Sequence, residues 1–193
     1  MFRSPGRVNL IGEHTDTSLL PVLPVAIDRG TVVAAAARQA PRVRAASARF
    51  PDEPAQLPRV DAVAPRGWAR YLAGVLGVLQ ERAPGKGADL AVAGDLPTEG
   101  GLSSSSSLTM GLLAALNHVW RLDLDVEQLV ALGIVAERHV GVESGGMDQT
   151  VIGLARAGCA LRIDFAPPAR RHVPLPDDLR LVVAHSGQAA PKG

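Results

Sequence analysis

Three short stretches of this chain gather the residue types that chemistry needs. Near the N-terminus Arg7, Asn9, Glu13, His14 and Asp16 fall within ten positions. A guanidinium does not titrate in the working range, so Arg7 can hold a carboxylate ionised and offset developing negative charge. The second stretch is Gly94-Asp95-Leu96-Pro97-Thr98-Glu99-Gly100-Gly101-Leu102, running into the five serines Ser103 to Ser107. The third is Gly141-Val142-Glu143-Ser144-Gly145-Gly146-Met147-Asp148-Gln149, a glycine loop that carries Asp148 where a ligand can approach, with Glu137 shortly before it.

Phosphoryl transfer needs a cradle for phosphates, oxygen ligands for Mg²⁺, a carboxylate near the acceptor hydroxyl, and positive charge near the group in flight. The glycine and serine loop can cradle phosphates, Ser105 can offer a hydroxyl to a metal, and Glu137, Asp148 and Arg7 supply the charges. Each also has a plainer reading. The serine run can be a linker, Glu137-Arg138 a solvated helix face, Asp148 a helix cap, and Arg7, Glu13 and Asp16 a surface ion-pair cluster.

The surrounding pattern favours the cradle. A strand-like apolar run at 88–93 leads into the loop and an apolar helical run at 108–120 leads out, which aims backbone N–H groups and the positive end of a helix dipole at one volume. Small hydroxyl residues in the first turn can cap that helix or donate to phosphate. Residues 22–28 and 31–37 read as antiparallel strands joined by the turn Asp28-Arg29-Gly30, with a third strand at 42–48. Pro51, Pro54, Pro58 and Pro65 make 50–65 a surface loop. Trp68, Tyr71, Leu72, Val75, Leu76 and Leu79 recur at helical spacing. Those two aromatics can serve as a stacking platform, but the spacing favours core. Asp125 and Gln128 have capping-box spacing ahead of a helix running to about Arg138, with Gly141 its stop. A short helix is expected at 149–157, and strands at Cys159–Phe165 and 179–185.

The 193 residues, 47% of them hydrophobic, suffice for one substantial core. A net charge of +1, with both signs mixed along the chain, argues against nucleic-acid or membrane partners. The single Cys159 excludes an internal disulfide framework. Neither an apolar leader core nor a membrane-length apolar run is present, so a cytoplasmic protein is expected. The five histidines show no metal spacing, and neither the P-loop nor the Rossmann fingerprint occurs.

The stretch Arg3-Ser4-Pro5-Gly6-Arg7-Val8-Asn9-Leu10-Ile11-Gly12-Glu13-His14-Thr15-Asp16 closely resembles the galactokinase signature. The loop from Leu96-Pro97 through Gly101-Leu102-Ser103-Ser104-Ser105 resembles the ATP motif of the GHMP kinases, and Gly145-Gly146-Met147-Asp148-Gln149 resembles the galactokinase catalytic-base loop. The resemblance implies an α+β fold, the GHMP kinase N-terminal domain related to ribosomal protein S5 domain 2. It implies that 1–193 form that sugar- and ATP-binding domain, with the C-terminal domain outside this chain.

It further implies ATP and Mg²⁺ as cofactors and a small-molecule sugar as substrate, with phosphate passing to the sugar O1 hydroxyl. Asp148 would be the base and Arg7 its cationic partner. Glu13, His14, Asp16 and Gly145 would hold sugar hydroxyls. Glu99, Gly100, Gly101, Leu102, Ser103 and Ser104 would hold the ATP phosphates, and Ser105 and Glu137 the metal. Galactose is the expected sugar; N-acetylgalactosamine or arabinose kinases and a non-catalytic binding relative are the alternatives. The chain departs from the family pattern in three places. Thr17-Ser18-Leu19-Leu20-Pro21 replaces a Tyr-Asn pair followed by glycines, Glu99 stands where the phosphate loop has glycine, and Ser106 replaces a small apolar residue. Glu99 places a carboxylate at the mouth of an anion site, where it is expected to weaken ATP binding.

Overall fold

The computed structural model describes residues 1–57, 66–97, 100–142, 144–184 and 187. It is an α+β structure. A five-stranded sheet runs in the order β1-β2-β5-β3-β4, with β1 at Phe2–Asn9, β2 at Pro24–Arg38, β3 at Val43–Ser47, β4 at Phe50–Leu57 and β5 at Gly87–Gly94. All neighbours are antiparallel except β3 and β5, which run parallel. Among the described residues four α-helices add to the core: α1 Ala69–Leu79, α2 Ser104–Trp120, α3 Val126–His139 and α4 Met147–Leu154. A separate hairpin of β6 Cys159–Phe165 and β7 Pro168–Pro174 follows.

Strand alternation sets which face the helices cover. In β3, Val43, Ala45 and Ser47 are buried while Arg44 and Ala46 are exposed, the period of two expected of a sheet with one wet face. Val33 from β2 and Leu90 and Val92 from β5 join Leu72, Val75 and Leu79 of α1 and Leu112, Leu113 and Leu116 of α2 in one core. The α2 helix is buried on most of its circumference, as its apolar composition requires. The capping box of α3 forms as its spacing predicts: Asp125 Oδ1 accepts from the Gln128 N–H at 2.8 Å, and Gln128 Oε1 accepts from the Asp125 N–H at 2.9 Å.

Four expectations are corrected. Residues 22–28 and 31–37 form no hairpin, because β2 continues through Asp28-Arg29-Gly30 as one fifteen-residue strand, whose register with β1 shifts there between Ala26 and Gly30. Gly30 is there for close approach: a Cβ on it would lie 2.3 Å from the Ser4 carbonyl oxygen of β1. The expected loop at 50–65 begins as β4, and residues 58–65 lie outside the described residues. Pro51 and Pro54 fit because β4 is an edge strand and its register with β3 breaks where they sit, between the pairs Ala45–Ala55 and Ser47–Phe50. Residues 179–184 form no strand; the partner of β6 is β7, which occupies part of the expected proline-rich connection. The helix expected at 149–157 begins two residues earlier, at Met147, and ends at Leu154.

Candidate active site

β1 carries Arg7 past the start of α2. The strand lies so close to the phosphate loop that a Cβ on Gly6 would meet the Leu96 side chain at 2.4 Å and the Leu102 carbonyl oxygen at 2.8 Å. Arg7 donates its backbone N–H to the Leu102 carbonyl at 3.2 Å and its Nη1 to the Gly101 carbonyl at 2.7 Å. Its Nε donates to Asp148 Oδ1 at 2.6 Å. The two side chains are 12% and 21% exposed, so the pair is dry enough to be strong yet open to a ligand. Asp148 stands in the first turn of α4, where the helix dipole favours a negative charge.

The second oxygen of Asp148 belongs to Ser103, whose Oγ donates to Oδ2 at 2.6 Å. This bond accounts for two otherwise unfavourable features. Ser103 is the N-cap residue of α2 but makes no side-chain cap, which forgoes about 1 kcal/mol. It also holds a left-handed backbone, φ 58°, at a cost of roughly 1–2 kcal/mol for an L-residue. Its hydroxyl is thus turned to Asp148 and not to the backbone N–H groups that open the seventeen-residue helix.

Opposite, the loop after β1 brings Asp16 against Gly145. A Cβ on Gly145 would sit 2.5 Å from Asp16 Oδ2, so only glycine allows this contact. The loop is cinched by Leu10 N–H to the Leu23 carbonyl at 3.0 Å, and by Thr15 Oγ1 to the Gly12 carbonyl at 2.8 Å. Glu13 accepts from Asn9 Nδ2 at 3.0 Å and is exposed, as is His14, whose backbone is left-handed at φ 61°.

Glu137 is no solvated helix residue: it is 2% exposed. Burial, and secondarily the charge of Asp148, push its carboxyl up to about 7, against the pull of nearby Ser106, Gln149 and Thr109. Its Oε1 has no hydrogen-bond partner among the described residues. An unpartnered carboxylate oxygen beside serine hydroxyls is a donor set of hard oxygens, which fits Mg²⁺. No group of three or more His, Cys, Asp or Glu gathers among the described residues. The hydroxyls placed at Glu137 are those of Ser106 and Thr109, while Ser105 lines a neighbouring cavity. Glu99 lies outside the described residues.

That cavity, about 640 Å³, opens beside the start of α2 and is lined by Ser47, Phe50, Trp68, Tyr71, Ser104 and Ser105 among others. Trp68 is core, 6% exposed, with its Nε1 donating to the Glu53 carbonyl at 3.0 Å, and it is also cavity wall. Helical spacing identified Trp68 and Tyr71 as packed but could not show that their packing leaves a space beside the serines. Sequence reasoning also passed over two buried anchors. Gln149, fully buried, accepts from Ser144 Oγ at 3.0 Å and donates to Ser106 Oγ at 3.4 Å. Ser107 donates to the Ser4 carbonyl at 2.7 Å and accepts from the Thr31 N–H at 3.2 Å, tying α2 to β1 and β2.

Residues 70–156 match the family described as GHMP kinases N terminal domain, and residues 1–37 match the galactokinase galactose-binding signature. A galactokinase of Chloroflexus aggregans is 42% identical over 188 residues, covering 96% of this chain and 48% of the relative. One from a Roseiflexus species is 43% identical over 192 residues with the same coverage. The solved structure of Lactococcus lactis galactokinase complexed with galactose superposes with a TM-score of 0.83 at 34% identity, over 90% of this chain and 46% of that one. Methanococcus jannaschii mevalonate kinase shares the fold, with a TM-score of 0.75 at 20% identity, over 89% of this chain and 55% of that one. The chain spans about half the length of the curated relatives it matches. Among the described residues no helix is long and apolar enough to cross a membrane.

Proposed function

We propose that this chain, which carries the N-terminal domain of the GHMP kinases together with the galactokinase galactose-binding signature, is the sugar- and ATP-binding half of a galactokinase-type enzyme working in the cytoplasm. The reaction moves the γ-phosphoryl group of ATP to the O1 hydroxyl of galactose. One observation carries the reading: Arg7, Gly101, Ser103 and Asp148, spread over 141 positions, meet at one point between the sugar signature and the phosphate loop.

In this reading Asp148 accepts the O1 proton as the O1–phosphorus bond forms and the bond from the γ-phosphorus to the β-phosphate oxygen breaks, leaving ADP. Arg7 is paired with Asp148 before the step and offsets charge during it. Glu13, His14, Asp16 and Gly145 hold the sugar hydroxyls. The loop from Glu99 to Ser104 receives the phosphates at the α2 N-terminus, and the cavity walled by Trp68 and Tyr71 takes the nucleotide base. Glu137, with Ser105 or Ser106, would hold Mg²⁺, which supplies charge neutralisation on the phosphates when bound. The C-terminal half of the site comes from a further domain or a complementing chain.

The test mixes the chain with ATP, Mg²⁺ and galactose, N-acetylgalactosamine or arabinose, and follows ADP release and, by calorimetry, sugar binding. Galactose binding to the chain, with any ADP release lost in Asp148→Asn, supports the proposal. Binding of galactose and nucleotide without turnover, even when the complementing half is supplied, would make it a non-catalytic relative. Failure to bind galactose refutes the reading.

A further inference from the structure

We infer that Ser103 couples the two substrates, its hydroxyl shielding Asp148 until a nucleotide phosphate draws it away. The inference rests on the proposed kinase reading and deepens it. A serine hydroxyl has one hydrogen to donate, so it can serve Asp148 or a phosphate oxygen at the α2 N-terminus, not both. In the structure the hydrogen goes to Asp148 Oδ2, at 2.6 Å, while Arg7 Nε engages Oδ1 at the same distance. Each carboxylate oxygen therefore already accepts one short hydrogen bond. A sugar hydroxyl that approaches Oδ2 must compete with the Ser103 hydroxyl for that oxygen.

Ser103 is built for an alternative partner. It is the N-cap residue of α2, the position from which a serine side chain ordinarily turns inward to its own helix, and here it makes no such cap. Its left-handed backbone swings the hydroxyl across to α4 instead. Next to it, a Cβ on Gly101 would meet open space, leaving room for an anion. A phosphate arriving at the helix N-terminus presents a more highly charged acceptor and takes the Ser103 hydrogen. Asp148 Oδ2 is then released toward the sugar O1 hydroxyl. Phosphate occupancy thereby arms the base, and by linkage sugar binding strengthens nucleotide binding by the same factor.

The decisive measurement is the galactose dissociation constant by calorimetry, with and without the Mg²⁺ complex of the β,γ-imido analogue of ATP. In the wild-type chain the analogue is expected to tighten galactose binding by on the order of tenfold, the scale of one charge-assisted hydrogen bond. In Ser103→Ala the free chain is expected to bind galactose about as tightly as the wild type does with the analogue, and the ratio falls to near one. Ser103→Gly removes the hydroxyl and suits the left-handed backbone, so it gives the same readout if the alanine variant does not fold. A ratio in either folded variant equal to that of the wild type, or a wild-type ratio near one, overturns the inference and leaves the kinase reading standing. Absence of galactose binding to the wild-type chain in both conditions overturns both.

Discussion

Replacing Glu137 with glutamine should stabilise the unliganded chain, and more so as pH rises. The carboxyl sits at about 7 in the folded protein against an ordinary 4.5. Between those values the folded state keeps a proton that the unfolded state has lost, so stability falls as pH rises through the window. Below 4.5 the group is neutral in both states and costs nothing. Above 7 the folded chain holds a buried charge, at a cost of about 3 kcal/mol at 1.36 kcal/mol per pH unit. Glutamine keeps the shape and removes the charge, and the hydroxyls of Ser106 and Thr109 can rotate to meet its amide. Urea unfolding of both proteins at pH 5 and pH 8 reads this directly. The stability difference in favour of Glu137→Gln should grow by about 2–3 kcal/mol between those pH values, at unchanged m-value. A difference that stays flat across the window refutes the claim that burial governs Glu137. The Mg²⁺ complex of the ATP analogue should reverse the ranking at pH 8, because a bound cation compensates the charge only in the wild type.

Gly145→Ala would drive a Cβ to 2.5 Å from the Asp16 carboxylate; galactose affinity should fall on the order of ten- to a hundredfold while nucleotide-analogue binding, measured in the same titration series, stays within a few-fold. Tyr71→Ala removes one wall of the cavity and should weaken the analogue by roughly tenfold or more, the scale of losing one stacked base, with galactose affinity unchanged in the absence of nucleotide. Ser107→Ala deletes the hydroxyl that joins α2 to the Ser4 carbonyl and the Thr31 N–H; chemical denaturation should show a loss of about 1–3 kcal/mol, the cost of leaving a buried donor unmatched.

Local signals were legible wherever the deciding neighbours are close in sequence. The capping box of Asp125 and Gln128 forms as its spacing required, β6 has the bounds its apolar run suggested, and the serine loop opens a buried helix. Three of the misreadings turn on strand pairing, which a local signal does not carry. Asp28-Arg29-Gly30 has turn composition, but β2 continues through it, with the register against β1 shifting between Ala26 and Gly30 and β5 joining at Thr31. Pro51 and Pro54 argue against a strand in isolation, and β4 accepts them because it is paired on one side only. The apolar run at 179–184 has strand composition but no strand to pair with among the described residues.

The sequence by itself determined the chemical inventory: a fixed cation at Arg7, carboxylates at Glu137 and Asp148, small hydroxyls at a helix start, and glycines where a ligand must come close. Those follow from residue type and short spacing. Only the tertiary structure decided which of these groups share a proton or a charge. It buried Glu137, which sequence alone left open to solvent, and gave the two oxygens of Asp148 to Arg7 and Ser103. The physical reason is that hydrogen bonding and desolvation act over a few ångströms of space. Arg7 and Asp148 are 141 positions apart along the chain, and the sheet and helices that bring them to 2.6 Å also fix what their chemistry can be.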